Sequence, residues 1–336
     1  MFFKGMKALK VLVLKNVFMS LGELQFLTDP RSLYLENCEL ENASALGNLK
    51  ELEILVIHFS DIKKLPYELW ELTTLRLLAI WDESRVLIIQ NLQPSCLQNL
   101  KQVGVEDCLG LQVVFQILRP LHANEENQTS LLSSLTRLEL DSLPELKYVW
   151  RGPPHLVKLQ SLEVIRIERF PKLISLFSAV IAQSLVHLKE ILIYHCSELE
   201  HIITEAETDD NEVVSNTHFH PLCWPTLKRL KIKDCPRFGN AFPITLAQIN
   251  VQEMAELEII SCKSLKYVSP ITLAPGLPYL ESVSIIDCPQ LTLVFNLAKG
   301  KDGVDGAIAL PRLQDRQLRN WIVAFGRKTF SSNCHP

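Results

Sequence analysis

Residues 188–196 read Leu188-Lys189-Glu190-Ile191-Leu192-Ile193-Tyr194-His195-Cys196. Aliphatic side chains stand at the first, fourth and sixth places, and a cysteine stands at the ninth. Alternation through the middle residues marks a short strand with one buried face, because successive side chains of a strand point to opposite sides. The same arrangement begins again at Leu9, Pro30, Leu52, Leu75, Leu100, Leu135, Leu162, Leu227, Met254 and Leu280. At Pro30 only the first place departs, and Leu33, Leu35 and Cys38 follow in phase. The successive starts, including Leu188, are 21, 22, 23, 25, 35, 27, 26, 39, 27 and 26 residues apart. Eight of these ten spacings fall within about 20–29 residues, the length of one repeat of this kind. The two long ones mark polar insertions near 116–134 and 204–221; the second carries Glu205, Glu207, Asp209, Asp210 and Glu212.

The pattern L-x-x-L-x-L-x-x-C/N is that of a leucine-rich repeat. It predicts an α/β repeat solenoid: a curved horseshoe with short parallel strands on the concave face and irregular or short helical segments on the convex face. The solenoid is expected over 1–296, with a degenerate repeat or tail over 297–336. A second apolar half-motif follows the turn in Leu111-Val114-Phe115, Leu146-Val149-Trp150, Leu173-Leu176-Phe177, Leu199-Ile202-Ile203 and Leu291-Val294-Phe295. It would line the convex half of each coil. No repeat of this size covers its own apolar face, so stacking completes the core. Six of the nine cysteines, Cys38, Cys108, Cys196, Cys235, Cys262 and Cys288, share the ninth place. Burial as small, weakly polar side chains explains them. They are expected to be reduced and slow to react, with Cys334 reacting first.

The composition narrows the function. Hydrophobic residues make up 47 % of the 336, enough for a long core, and a formal net charge of −4 does not suit nucleic acid or an anionic membrane as main partner. The longest uncharged run lies between Lys172 and Lys189 and is too short and polar to span a bilayer. No signal-peptide core precedes the repeats, which predicts a cytoplasmic protein. Neither G-x-S-x-G, H-E-x-x-H nor C-x-x-C occurs, so no catalytic residue, metal ligand or cofactor site is assigned. His218-Phe219-His220 with Cys223 has a loose metal-ligand spacing inside an insertion and reads as exposed loop. The sequons at Asn42 and Asn127 read as chance.

Several phrases resemble the leucine-rich-repeat region of plant intracellular coiled-coil, nucleotide-binding immune receptors. These are Phe2-Phe3-Lys4-Gly5-Met6-Lys7-Ala8-Leu9-Lys10-Val11-Leu12, Ser60-Asp61-Ile62-Lys63-Lys64-Leu65-Pro66-Tyr67-Glu68-Leu69 and Leu143-Pro144-Glu145-Leu146-Lys147-Tyr148-Val149-Trp150. The opening stretch, 188–196, running into Ile202-Ile203 and the acidic loop, is another. The resemblance covers about residues 2–296. It implies a recognition and autoinhibition module of the defence response. The implied partners are an N-terminal nucleotide-binding domain and a pathogen effector or guarded host protein. G-x-x-x-x-G-K-[ST] is absent, since Gly300-Lys301 is followed by Asp302, so nucleotide binding does not carry over. The chain therefore reads as a fragment or truncated product, with Met1 falling almost on the first repeat. The alternatives are a substrate adaptor of a ubiquitin ligase and a free-standing inhibitor; the I-T-D-x-G-L phrase of the former and the alternating repeat lengths of the latter are absent.

Strand alternation puts places three, five and seven outward. They form a candidate partner-binding concave face of Val11, Val13, Ile54, Val56, Leu77, Trp81, Glu190, Tyr194, Arg229, Lys231, Lys233, Glu256 and Glu258. In repeats one, three and four, seven of nine outward residues are apolar, whereas Gln102, Gly104, Glu106, Arg137, Glu139 and Asp141 follow in repeats five and six. A contiguous apolar patch marks an interface, with Trp81 as its anchor.

Overall fold

A computed structural model describes residues 3–18, 21–27, 29–38, 43–60, 69, 72–81, 98–117, 131–204, 222–241, 249–269, 279–291 and 293–295. Eleven strands form one parallel sheet in chain order: Val11–Lys15, Ser32–Glu36, Ile54–His58, Leu77–Trp81, Gln102–Glu106, Arg137–Asp141, Val164–Glu168, Glu190–Tyr194, Arg229–Lys233, Glu256–Ile260 and Ser282–Ile286. Each starts at the third place of its repeat and pairs with its neighbour over all five residues. The chain is thus a curved leucine-rich-repeat solenoid. Side chains at places four and six are buried, for example Leu55, Ile57, Ile191, Ile193, Leu230 and Ile232 at 0 % exposure. Only the terminal repeats are less covered: Leu14, Val283 and Ile285 are partly buried. An end repeat lacks a neighbour on one side, so stacking closes its core incompletely.

The chain turns after each strand, as the repeat pattern implies, but the backbone form of that turn was not anticipated from the sequence. Place eight has positive φ in every repeat where that residue is described, between 46° and 62°, at Asn16, Asn37, Phe59, Asp107, Ser142, Arg169, His195, Asp234, Ser261 and Asp287. Asn and Asp tolerate this left-handed conformation; Phe and Arg adopt it under tertiary constraint. The constraint is visible, since the place-eight N–H donates to the place-seven carbonyl of the next repeat, as from His195 to Lys233 at 2.9 Å. The turn then directs place nine inward. Cys38, Cys108, Cys196, Cys235 and Cys262 are buried there, and Cys288 is half-buried. Ser60 occupies the place in repeat three, while Leu143 and Phe170, fully buried, show that it also admits large side chains.

The convex side carries short 3-10 turns, such as Leu21–Phe26 and Ala43–Asn48, and one helical turn, Ala179–Ala182. It also carries strand pairs that the half-motif did not reveal: Val113–Gln116 with Tyr148–Arg151, Ser175–Ser178 with His201–Thr204, and Tyr267–Ser269 with Leu293–Phe295. Half-motif aromatics stack between coils. Phe115 and Trp150 lie 4.9 Å apart and nearly parallel, and Trp150 and Phe177 lie 6.3 Å apart. Trp150 donates its indole N–H to the Leu176 carbonyl at 3.1 Å, so its polar atom is satisfied although buried. The described edges of the first insertion belong to the packed coil, because Ile117, Leu131 and Leu132 are buried. Residues 118–130, 205–221, with His218 and His220, and the 297–336 tail lie outside the described residues.

Candidate concave binding face

The eleven strands lay their outward side chains in three rows along the solenoid. Place three runs Val11, Ser32, Ile54, Leu77, Gln102, Arg137, Val164, Glu190, Arg229, Glu256, Ser282. Place five runs Val13, Tyr34, Val56, Ala79, Gly104, Glu139, Arg166, Leu192, Lys231, Glu258, Ser284, and place seven runs Lys15, Glu36, His58, Trp81, Glu106, Asp141, Glu168, Tyr194, Lys233, Ile260, Ile286. All thirteen candidate residues stand in these rows.

At the N-terminal end the rows are mostly apolar. Val11 and Val13 are 54 % and 50 % exposed, and Ile54, Val56, Leu77 and Trp81 are half-buried. Tyr34, which the sequence reading passed over, joins Val13 to Val56 in the same row. Ala79 is buried at 7 % exposure, a methyl group in register between Val56 and Gly104. His58 meets Trp81 edge-on at 5.5 Å, and the Lys15–Glu36 pair at 2.6 Å borders the patch; its hydrogen bond lowers the Glu36 pKa.

The middle repeats are rich in carboxylates and arginines. Arg137 pairs with Glu139, Arg166 with Glu168, and Arg169 with both Asp141 and Glu168. The Arg166 guanidinium also lies 5.6 Å from the Tyr194 ring centroid. Burial raises the Asp141 pKa; Arg169 opposes this, while Glu168 and Glu106 add to it. At the C-terminal end the charges interlock. Arg229 reaches Glu190 at 2.8 Å and Glu256 at 3.3 Å, Lys231 reaches Glu256 at 2.8 Å and Glu258 at 3.4 Å, and Lys233 reaches Glu258 at 3.0 Å. The bond to Glu256 raises the Lys231 pKa. These candidate charges are therefore matched within the chain, and a partner must exchange ion pairs to use them.

Among the described residues no three of His, Cys, Asp or Glu group so as to hold a metal ion, and no helix is long and apolar enough to cross a membrane.

Residues 49–197 match the family of plant disease resistance protein RPS2-like leucine-rich repeats. The matched stretch runs from just before repeat three to just past Cys196, and includes Ile54, Val56, Leu77, Trp81, Glu190 and Tyr194. No curated protein matches the chain. Among solved structures, the leucine-rich repeat domain of the type III effector XopL is 16 % identical, with TM-score 0.39, over 84 % of this chain and 71 % of that one. A leucine-rich-repeat protein of Leptospira interrogans is 16 % identical, with TM-score 0.35, over 94 % of this chain and 87 % of that one. The plant peptide hormone receptor RGFR1 in complex with RGF2 is 14 % identical, with TM-score 0.33, over 86 % of this chain and 56 % of that one. Likenesses this distant add nothing to what the strands themselves show.

Proposed function

We propose that this chain is a protein-binding module acting without catalysis in the cytoplasm: the recognition and autoinhibition region of a plant intracellular immune receptor. The change along the concave rows, from mostly apolar in repeats one, three and four to mostly charged in five to ten, carries the reading. The apolar end is the docking surface for a nucleotide-binding domain, and the RPS2-like match over 49–197 supports that pairing. The charged remainder is left to an effector or guarded host protein, since mixed charge confers specificity more than raw affinity.

The test uses Trp81→Glu combined with Ile54→Lys, since both residues are outward and half-buried. The unaltered chain is expected to self-associate in sedimentation experiments and to capture a nucleotide-binding domain of an RPS2-like receptor supplied in trans. The double variant should be more soluble, should melt cooperatively and should lose that capture. An unaltered chain that stays monomeric at high concentration, with a double variant that unfolds, would show these residues to be core and overturn the reading.

A further inference from the structure

The concave face has a gap at repeats four and five. In the place-five row, Ala79 and Gly104 contribute only a methyl group and a hydrogen between Val56 and Glu139. A pocket of about 300 Å³ opens there, lined by Trp81, Gly104, Glu106, Glu139, Asp141 and Arg166 among others. Nothing in the fold asks for a glycine at 104. Its φ is not positive, and a Cβ there would meet only the Ala79 methyl at an ordinary 3.9 Å. A glycine inside a strand weakens it, and it often marks a close approach by a ligand or another backbone.

The chain itself shows how an arginine sits on this face. In repeat seven, place five is Arg166. Its guanidinium donates to the Glu168 carboxylate at 2.8 Å and lies over the Tyr194 ring. Those partners occupy place seven of its own repeat and place seven of the adjacent one. Around Gly104 a glutamate and an aromatic again stand in place seven, in mirrored order and with no side chain between them: Glu106 in the same repeat and Trp81 in the preceding one, where Tyr194 belongs to the following one. Glu106 makes no ion pair or side-chain hydrogen bond among the described residues, whereas Glu139, Asp141 and Arg166 are paired. The pocket lining thus holds three carboxylates against one guanidinium.

Resting on the reading of this face as protein-binding, we infer that the pocket takes an arginine side chain from an extended segment of a partner protein. Its guanidinium stacks on Trp81 and donates to Glu106, and the aliphatic stem passes over Gly104. A planar guanidinium fits an aromatic wall and a carboxylate together better than an ammonium does. Apolar residues beside that arginine lie along Ile54, Val56 and Leu77.

Fluorescence anisotropy of labelled nonapeptides tests this. The peptides alternate leucine and serine around a central arginine, lysine, citrulline or glutamate, and the whole chain is titrated into each. The arginine peptide is expected to bind about tenfold more tightly than the citrulline one, the scale of one charge-assisted stacked contact. Gly104→Leu should abolish that preference by filling the pocket. Glu106→Gln, near-isosteric and outward, should do so without altering the melting temperature, and Glu145→Gln, outside the concave strands, should leave it intact. Equal binding of arginine and citrulline peptides overturns the pocket while leaving the docking surface of repeats one to four standing. A preference that survives both Gly104→Leu and Glu106→Gln also overturns it. Failure of every peptide to bind, with capture of the nucleotide-binding domain retained, counts against the pocket alone.

Discussion

Cys235 shows why a thiol suits the ninth place. The Lys233 carbonyl accepts the His195 N–H at 2.9 Å and the Cys235 S–H at 3.3 Å. The same double use recurs at Tyr194 with Arg169 and Cys196, at Ile260 with Asp234 and Cys262, and at Ile286 with Ser261 and Cys288. A carbonyl oxygen has two lone pairs, so the thiol takes the one left over from the turn. Ser60 does the same toward His58 at 3.1 Å and also accepts the Cys38 N–H. The Cys235 thiol is raised well above its ordinary value, first by its bond with Cys196 and then by burial; burial does the same for Cys262. Because the thiolate is the reactive form, Cys235 and Cys262 should label slowly in the native protein, and fully buried Cys196 should be slow because the reagent cannot reach it. Half-buried Cys288 should label first of the four. Mass spectrometry of timed alkylation reads the order, and labelling of Cys235 as fast as in denaturant would contradict the burial.

Elements join at points where the backbone leaves no choice. Gly152 ends the convex strand Tyr148–Arg151 with φ 116°, and a Cβ there would fall 2.1 Å from the Ile117 carbonyl oxygen. The Ile117 N–H bonds the Arg151 carbonyl at 2.7 Å, which fixes the two coils at that distance on either side of the first insertion. Gly152→Ala combines a disfavoured φ with a backbone clash, and should destabilise by about 2 kcal/mol or more in chemical denaturation. A loss below about 0.5 kcal/mol would mean that this junction relaxes freely. Leu138, fully buried at place four of repeat six, provides the comparison: Leu138→Ala should cost about 2–5 kcal/mol by leaving a cavity.

Over the whole molecule, stability is close to a sum of repeats and the interfaces between them. The ladder from Glu190 through Arg229, Lys231 and Lys233 to Glu256 and Glu258 spans two such interfaces. Burial pushes the Glu258 carboxyl up, but Lys233 and Lys231 together outweigh it, and its pKa ends below the ordinary 4.5. A carboxyl lowered in the folded state adds stability above its unfolded pKa, and that stability is lost as the pH falls through the folded value. Glu258→Gln should therefore destabilise by about 1 kcal/mol or less at neutral pH, the range of partly exposed ion pairs. The deficit should vanish below pH 4.5 as the unaltered chain also loses its charge there. Melting curves across that range check it; a deficit independent of pH would assign the effect to packing.

Period and phase were decided locally. Alternating aliphatics at places four and six leave one workable register, because a slip by one residue would turn every leucine to solvent, and all eleven strands start where that alternation places them. The turn at place eight was half legible. Asn16, Asn37, Asp107, Asp234 and Asp287 suit a left-handed residue, but Phe59 and Arg169 adopt it only because the next repeat's carbonyl must be reached. The surface was legible as composition and not as geometry. That Arg166 meets the ring of Tyr194, that Ala79 is covered, and that Trp81 and Glu106 flank an open Gly104 depend on side chains of successive repeats coming into register. Local sequence sets which way each side chain points; only the stacking of successive coils, across insertions of unequal length, sets what it meets.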